Sequence, residues 1–473
     1  MEAKLKTTLF SIFFVFLLSS GFAKQLEYQS LVLGPLPKPP IHKPDLAWSE
    51  SETLTLPKTA ETDSKTTLTV RLEHRDALAF NATPEELFHL RLERDTVRVK
   101  TLTAMATGAH GKNFSSSVIS GLSHGSGEYF TRLGVGTPPK YVYMVLDTGS
   151  DIVWIQCTPC RKCYSQADPV FDPANSQSFA GVSCESPLCR KLDVSGCNQR
   201  RLCLYQVSYG DGSFTAGEFS TETLTFRGRK IGRVALGCGH DNEGLFVGAA
   251  GLLGLGRGNL SFPSQAGRRF GRKFSYCLVD RTSSTSKPSS VVFGDSAVSE
   301  SAVFTPMLRN PRLDTFYYVE LTGISVGGRR VPNITDSLFK LDAAGNGGVI
   351  IDSGTSVTRL TQPAYVALRD AFRAGAAELK HSPGFSLFDT CYDLMDKTEV
   401  KVPAIVMHFG GGADVSLPAT NYLVPVDSNS TFCFAFAGTT SGLSIIGNIQ
   451  QQGFRVEFDD AASRIWFSPR GCA

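Results

Sequence analysis

One pattern occurs twice in this chain, and it constrains the fold more than anything else in the sequence. Met144-Val145-Leu146-Asp147-Thr148-Gly149-Ser150 is echoed by Val349-Ile350-Ile351-Asp352-Ser353-Gly354-Thr355, each an apolar run entering Asp, hydroxyl, Gly, hydroxyl. Downstream of each copy lies an apolar pair ending in Gly: Leu252-Leu253-Gly254 after the first, Ile445-Ile446-Gly447 after the second. The spacing is too long for a solenoid, and two copies of one plan imply two similar lobes. A single Asp-x-Gly after a strand is ordinary turn chemistry. Two, each with its own apolar-Gly companion, read as one site built twice.

The surrounding texture is β. From Gly127 onward, short apolar or alternating runs recur at Tyr129 to Gly136, Tyr141 to Leu146, Leu202 to Tyr209, Gly217 to Phe226, Phe316 to Val326 and Phe454 to Phe458. Thr137-Pro138-Pro139 cannot continue a central strand and marks a turn. One helix is predicted in the second half, Gln362 to Leu379. With 45 Gly and 32 Phe in 473 residues and only 19% charged, an all-β class is expected. The 47 basic residues against 44 acidic ones leave +3, too balanced a charge to favour nucleic acid or an anionic membrane.

The first 23 residues have the layout of a secretory signal: Lys4 and Lys6, an apolar stretch from Leu9 to Leu18, then small residues ending at Ala23. That core is short for a membrane span, and no later stretch reads as a membrane or lipid anchor. Residues 24 to 120 differ from the remainder of the chain, with no Cys, few Gly and the Pro-rich Pro35-Leu36-Pro37-Lys38-Pro39-Pro40. They carry a predicted helix from Pro84 to Lys100, in which Leu87, Leu90 and Val97 keep helical spacing among charges. A charge-dense, cysteine-free segment between a signal and a Cys-rich body reads as a prosegment. The expected plan is signal 1–23, prosegment 24–120, a first lobe 121–300 with a Cys-rich insert 157–203, and a second lobe 301–473.

An exported chain with 12 cysteines is expected to hold disulfides, and seven of the twelve lie between Cys157 and Cys203. Cys157, Cys160 and Cys163 have a spacing that could open a metal site. The next Cys is Cys184 and no His pair stands nearby, so no metal is expected. Spacing alone leaves roughly ten thousand pairings open.

The chemistry follows from electrostatics. If the lobes are related by a pseudo-twofold, the two loops meet and bring Asp147 and Asp352 close, where both cannot ionise cheaply. The pair then shares one proton. One carboxylate can take a proton from water while the other donates one to a carbonyl oxygen, cleaving an amide without a covalent intermediate or a cofactor. Gly149 and Gly354 allow close backbone approach, and the flanking hydroxyls can orient the carboxylates.

These motifs resemble the pepsin-type aspartic proteases over essentially Gly127 to Ala473, which implies an all-β, bilobal pepsin-like fold with a few short helices and an endopeptidase acting on polypeptides. By that resemblance Tyr209, in Tyr209-Gly210-Asp211-Gly212-Ser213, is the tyrosine of a flap that closes over substrate, and Trp154 supports it. Thr148 and Ser353 would interlock the loops, and Ser150 and Thr355 would hydrogen-bond the outer carboxylate oxygens. The Cys-rich insert is similar to that of the nepenthesin-like plant enzymes. Their pattern would pair Cys157 with Cys160, Cys163 with Cys238, Cys184 with Cys203, Cys189 with Cys197, Cys277 with Cys472, and Cys391 with Cys433. Arg71-Leu72-Glu73-His74-Arg75-Asp76 also resembles plant prosegments, although no lysine there can be assigned to block the pair.

Weaker signals point elsewhere. Gly121-Leu122-Ser123-His124-Gly125 fits a hydrolase nucleophile elbow but has no long strand before it. A glycosidase using two carboxylates would need a cleft rich in Trp, and the chain has three in all. A catalytically silent pepsin-fold inhibitor or binding protein usually shows damage in one motif, and both are intact. Sequons stand at Asn81, Asn113, Asn259, Asn333 and Asn429. Arg268-Arg269-Phe270-Gly271-Arg272-Lys273 reads as a solvated basic turn. The expected product is a secreted, extracellular monomer, in the cell wall or apoplast if the source is a plant.

Overall fold

In the computed structural model the described residues are 27–34, 67–78, 82–107, 128–209, 213–244, 248–279, 288–295 and 301–472. The predicted signal, the Pro-rich run, the elbow-like Gly121–Gly125, Gly210, and the sequons at Asn81 and Asn113 lie outside them. The architecture is two lobes of mostly antiparallel β-structure with few helices.

Four elements set the frame: β1 (Tyr28–Val32), β2 (Leu68–His74), β3 (Tyr129–Val135) and β4 (Lys140–Asp147). β4 shows why the first motif is preceded by an unbroken apolar run. Val142, Met144 and Leu146 enter the main core, while Val145 enters a second core with Phe130, Trp154 and Leu252. A strand buried on both faces cannot alternate with polar residues. The Val349–Ile351 strand repeats this: Val349 and Ile351 face the main core, and Ile350 faces a separate cluster with Tyr318 and Ile445.

The duplication extends to strand pairing. β4 lies parallel to Gly251–Gly254, with Asp147 opposite Gly254, and Val349–Ile351 lies parallel to Ser444–Ile446. Each apolar-Gly companion is therefore the strand beside its own motif. The terminal glycines are required by close approach: a Cβ on Gly254 would meet the Asp151 carbonyl carbon at 2.4 Å, and one on Gly447 the Ser356 oxygen at 2.6 Å.

A sheet joins the lobes. Its order is β2, Ser289–Phe293, Lys273–Cys277, Arg455–Asp459, Arg464–Ser468, Val303–Leu308, all antiparallel. One edge strand thus comes from the 24–120 stretch, whose described residues 67–78 and 82–107 pack as an integral part of the fold. That stretch also supplies α1 (Pro84–Thr107), seven residues longer at its C-terminus than the helix read to Lys100. Thr83 caps it: its hydroxyl accepts from the Glu86 N–H at 3.2 Å, and the Glu86 carboxylate accepts from the Thr83 N–H at 2.8 Å. The second predicted helix runs Gln362–Gly375, with Ala364, Tyr365, Leu368 and Phe372 buried.

The buried face of α1 differs from the expected one. Leu90 is 42% exposed and Val97 half-buried, whereas Leu87, Phe88, Arg91, Leu92, Asp95, Arg98, Val99 and Leu102 are buried. The helix turns charges inward because buried partners of opposite sign await them.

All six disulfides form, with four pairings different from those implied by the family resemblance. Cys157 pairs with Cys238 and Cys160 with Cys163. Cys157 follows the Trp154–Gln156 strand, whose parallel neighbour carries Cys238 opposite Ile155, so those Cα atoms lie 5.4 Å apart. Cys184 pairs with Cys197 and Cys189 with Cys203. Cys203 and Cys189 are both buried, while Cys197 is exposed, so the inner and outer sulfurs pair separately. Cys277 bonds Cys472, and Cys391 bonds its register partner Cys433.

Of the predicted sequons, Asn259, Asn333 and Asn429 are exposed. The basic 268–273 run is partly engaged rather than simply solvated: Arg272 and Lys273 pair with Asp460 and Asp459, and Phe270 is buried.

Candidate active site

The two motif loops leave the ends of their strands and meet at the lobe junction. The Thr148 hydroxyl donates to Ser353 Oγ at 3.2 Å and lies 3.1 Å from Asp352 Oδ1, and the Ser353 N–H donates to Thr148 Oγ1 at 2.9 Å. The loops are therefore interlocked. Asp147 and Asp352 are 2% and 1% exposed. Asp147 accepts from the Gly149 N–H at 3.0 Å, and Asp352 accepts from the Thr355 hydroxyl at 2.6 Å. Ser150 differs from the expectation: its hydroxyl is buried without a hydrogen-bond partner. Asp147 takes its second donor from elsewhere.

That donor is Arg98 of α1. One guanidinium nitrogen, Nη2, donates to Asp147 Oδ1 and, at 2.6 Å, to Asp352 Oδ1; Nε donates to Asp352 Oδ2 at 2.6 Å. A single nitrogen bonded to both carboxylates places them in one site. The glycines make room for it: a Cβ on Gly354 would lie 2.4 Å from Arg98 Cζ, and one on Gly149 2.6 Å from Nη2. Burial alone would push the Asp352 carboxyl up, but the Arg98 charge and hydrogen bonds, with those of Thr355 and Thr148, hold it below the ordinary carboxylate range. Arg98, although buried, is held charged by the two carboxylates.

Further ionic contacts seat the same helix. Asp95 Oδ1 accepts from the backbone N–H of Ser356 at 2.5 Å and of Val357 at 3.2 Å, and Oδ2 pairs with Arg359 at 2.6 Å. Burial pushes Asp95 up despite Arg359. At the other lobe, Arg94 forks onto Glu128 with two bonds of 3.0 Å, Arg91 pairs with Asp76, and His74 lies 3.5 Å from Glu128. Burial would raise Glu128, but Arg94 and Arg91 hold it low. The Arg71–Asp76 motif noted in the sequence thus ends in this cluster. His74, Asp76 and Glu128 have a metal-ligand composition, yet the arginines already take the carboxylate oxygens.

The apolar side of α1 fills the cleft on both sides of the pair. Phe88 and Leu92 pack with Val357, Phe388, Val426 and Ile449, and Val99, Leu102 and Ala106 pack with Phe316, Tyr318, Ile350 and Leu443. Across the cleft, the Trp154 indole N–H donates to the Tyr209 hydroxyl at 2.9 Å, with Tyr209 next to the tip of the hairpin formed by Cys203–Ser208 and Phe214–Phe226. Asp151, just after the first motif, carries no signal of its own in the sequence. It accepts from the Gly258 N–H at 2.9 Å and the Thr315 hydroxyl at 2.7 Å, bracing the lobe junction, and burial pushes its carboxyl up to about 7.

Two lobes, each presenting one Asp from the end of a doubly buried strand into a shared, interlocked loop pair, define the aspartic protease architecture. The family models described as "Xylanase inhibitor N-terminal" and "Xylanase inhibitor C-terminal" match residues 129–295 and 316–469. The chain is 63% identical to "Aspartyl protease family protein 2" of Arabidopsis thaliana, with both chains fully covered. It is 39% identical to "Aspartic proteinase nepenthesin-1" of Nepenthes gracilis, over 85% of this chain and 90% of that one. Among solved structures it is similar to edgp, with a TM-score of 0.61 at 22% identity over 76% of this chain and 93% of that one. It is also similar to Basic 7S globulin from soybean, with a TM-score of 0.57 at 19% identity, over 72% and 92%. The chain belongs to the pepsin-type aspartic protease family of hydrolases, with nepenthesin among its relatives.

Proposed function

We propose that the chain is the precursor of a secreted aspartic endopeptidase that works at acid pH, with Asp147 and Asp352 as its catalytic pair and residues 24–120 as its inhibitory prosegment. The observation that carries this reading is the single Arg98 nitrogen bonded to one carboxylate from each duplicated loop. When the guanidinium leaves, two buried carboxylates face each other and bind one proton between them. A water held by both then reacts: the ionised carboxylate takes its proton as the oxygen attacks the peptide carbonyl carbon, and the protonated carboxyl gives its proton to the carbonyl oxygen. Collapse of the resulting diol breaks the C–N bond: the carboxylate that gave up its proton takes one back from a diol hydroxyl, and the departing nitrogen takes the proton that the other carboxyl gained from water.

The substrate class is set by what α1 covers. Phe388, Val426 and Ile449 on one side of the pair, and Phe316, Tyr318 and Leu443 on the other, suit an extended polypeptide with large apolar side chains flanking the cut. Trp154 would hold Tyr209 of the flap over that peptide, with Gly210 beside it. Thr148, Gly149, Ser353 and Thr355 position the carboxylates, and Gly354 leaves space beside them. The disulfides suit an oxidising compartment, the exposed Asn259, Asn333 and Asn429 suit glycosylation, and among the described residues no helix is long and apolar enough to cross a membrane. Both motifs are complete, which favours an active enzyme over a silent pepsin-fold inhibitor.

Acidification of purified precursor tests this, with mass spectrometry of the chain and of a peptide mixture incubated with it. Shortening by roughly a hundred residues, as a signal-less prosegment departs, together with cuts between large apolar residues that pepstatin abolishes, is the expected result. A precursor that is fully active uncut at neutral pH, or inert at every pH, would refute it.

A further inference from the structure

Besides α1 in the cleft and β2 in the inter-lobe sheet, the prosegment touches the body at a third place, which shares no residue with the cleft. β1 runs antiparallel to Glu399–Pro403 in a complete five-residue register, from Tyr28 opposite Pro403 to Val32 opposite Glu399. The pairing extends past both ends: the Leu33 N–H donates to the Thr398 carbonyl at 2.9 Å, and the Ala404 N–H to the Glu27 carbonyl at 3.0 Å. Gln29 adds a side-chain bond to the Leu417 carbonyl at 2.9 Å. Among the described strands, Glu399–Pro403 has no other ladder partner. One side chain of β1 is an anchor: Leu31 is 3% exposed and joins the main core, whereas Tyr28 is 49% and Val32 74% exposed.

This is strand addition, in which main-chain bonds supply affinity and a pocket for one side chain supplies specificity. Without β1, a row of backbone groups and the Leu31 hollow would face water. We infer that the Glu399–Pro403 edge is a strand-accepting site whose occupant is the segment Glu27–Leu33, and that this site binds the segment whether or not it is still covalently attached. The inference rests on residues 24–120 being a prosegment. Cutting the chain between α1 and β3 then leaves a multivalent ligand, held by Arg98 in the cleft, by β2 in the inter-lobe sheet and by Leu31 on the far edge. Each site keeps the others at high effective concentration, so cleavage alone does not free the enzyme.

The test inserts a thrombin site within residues 35–66 of the full chain and cuts it at neutral pH. On gel filtration the N-terminal fragment should travel with the body. The same fragment carrying Leu31→Asp should separate from it, and Tyr28→Ala should stay bound. A dye-labelled synthetic peptide of residues 24–36, added to the acid-processed protein, should bind by fluorescence anisotropy at least about tenfold more tightly than its Leu31→Asp version. The peptide arm does not depend on how the variant chains fold. Separation of the wild-type fragment, or equal binding of the two peptides, overturns the inference. The prosegment reading fails independently, through a chain that acid neither shortens nor activates, and the thrombin arm does not depend on that outcome.

Discussion

Replacing Arg98 by Met keeps the length of the side chain and removes its charge. In the structure Arg98 makes three charge-assisted bonds to two buried carboxylates and is itself buried. Breaking a buried ion pair by removing one partner costs about 3–5 kcal/mol. Here the abandoned carboxylates can relieve their repulsion by binding one proton, so the low end applies. About 3 kcal/mol corresponds to a roughly hundredfold larger fraction of precursor with α1 lifted from the cleft. The acid dependence changes as well. Arg98 lowers the folded-state titration of Asp352, so its contribution to docking is present above the ordinary value of 3.8 and lost as pH falls through the lowered one. Wild-type α1 should therefore hold at neutral pH and loosen below about pH 4, whereas Arg98→Met should show no such step. The assay is hydrolysis of a small quenched-fluorescent peptide by uncut precursor at pH 5, alongside amide exchange of α1. The variant should turn over peptide roughly a hundredfold faster than wild type and exchange correspondingly faster. A variant as silent and as protected as wild type would refute the reasoning.

Three other outcomes are expected from the geometry. Asp352→Asn should lower kcat of the processed enzyme by about a thousandfold with an unchanged circular dichroism spectrum; wild-type turnover would remove Asp352 from the mechanism. Trp154→Phe deletes the N–H that holds the Tyr209 hydroxyl and should lower kcat/KM by up to about tenfold, measured on the same peptide. Asp151 holds a proton in the folded state up to about pH 7 that the unfolded chain loses near 3.8, so its contribution to stability falls as pH rises from about 4 to about 7 and then levels. Asp151→Asn should remove that fall, and a Tm series across the same range should show the variant gaining on wild type by a few kcal/mol.

Much of the fold is legible because the strands of this chain report their burial directly. An apolar run such as Val142 to Leu146 is buried on two faces, and the duplicated Asp-hydroxyl-Gly-hydroxyl ends are set by contacts within a few residues and one neighbouring strand. Gly254 and Gly447 are likewise readable, since each is the position where a neighbouring loop passes too close for a side chain. The disulfides of the insert are not readable in this way. Whether Cys157 meets Cys160 or Cys238 depends on which strand lies beside Trp154–Gln156, and that neighbour carries a cysteine 81 residues further along the chain.

The site shows the same division more sharply. Asp147 and Asp352 announce themselves by repetition, but Arg98 looks like a solvated charge on a helix already rich in them. The usable signal is spacing: Arg91, Asp95, Arg98 and Leu102 fall on one helical face, together with Phe88 and Leu92. On an isolated helix such a stripe would face water, because a buried charge is unfavourable without a partner. It is buried here because its partners, Glu128 for Arg91, Arg359 for Asp95, and Asp147 and Asp352 for Arg98, are gathered from three distant parts of the chain. The inward-facing charges of α1 are therefore a property of the docked state alone. In the proposed precursor they would stabilise the block while the carboxylates are ionised, and the acid that prepares the aspartate pair for one shared proton would remove the charges that hold the helix in place.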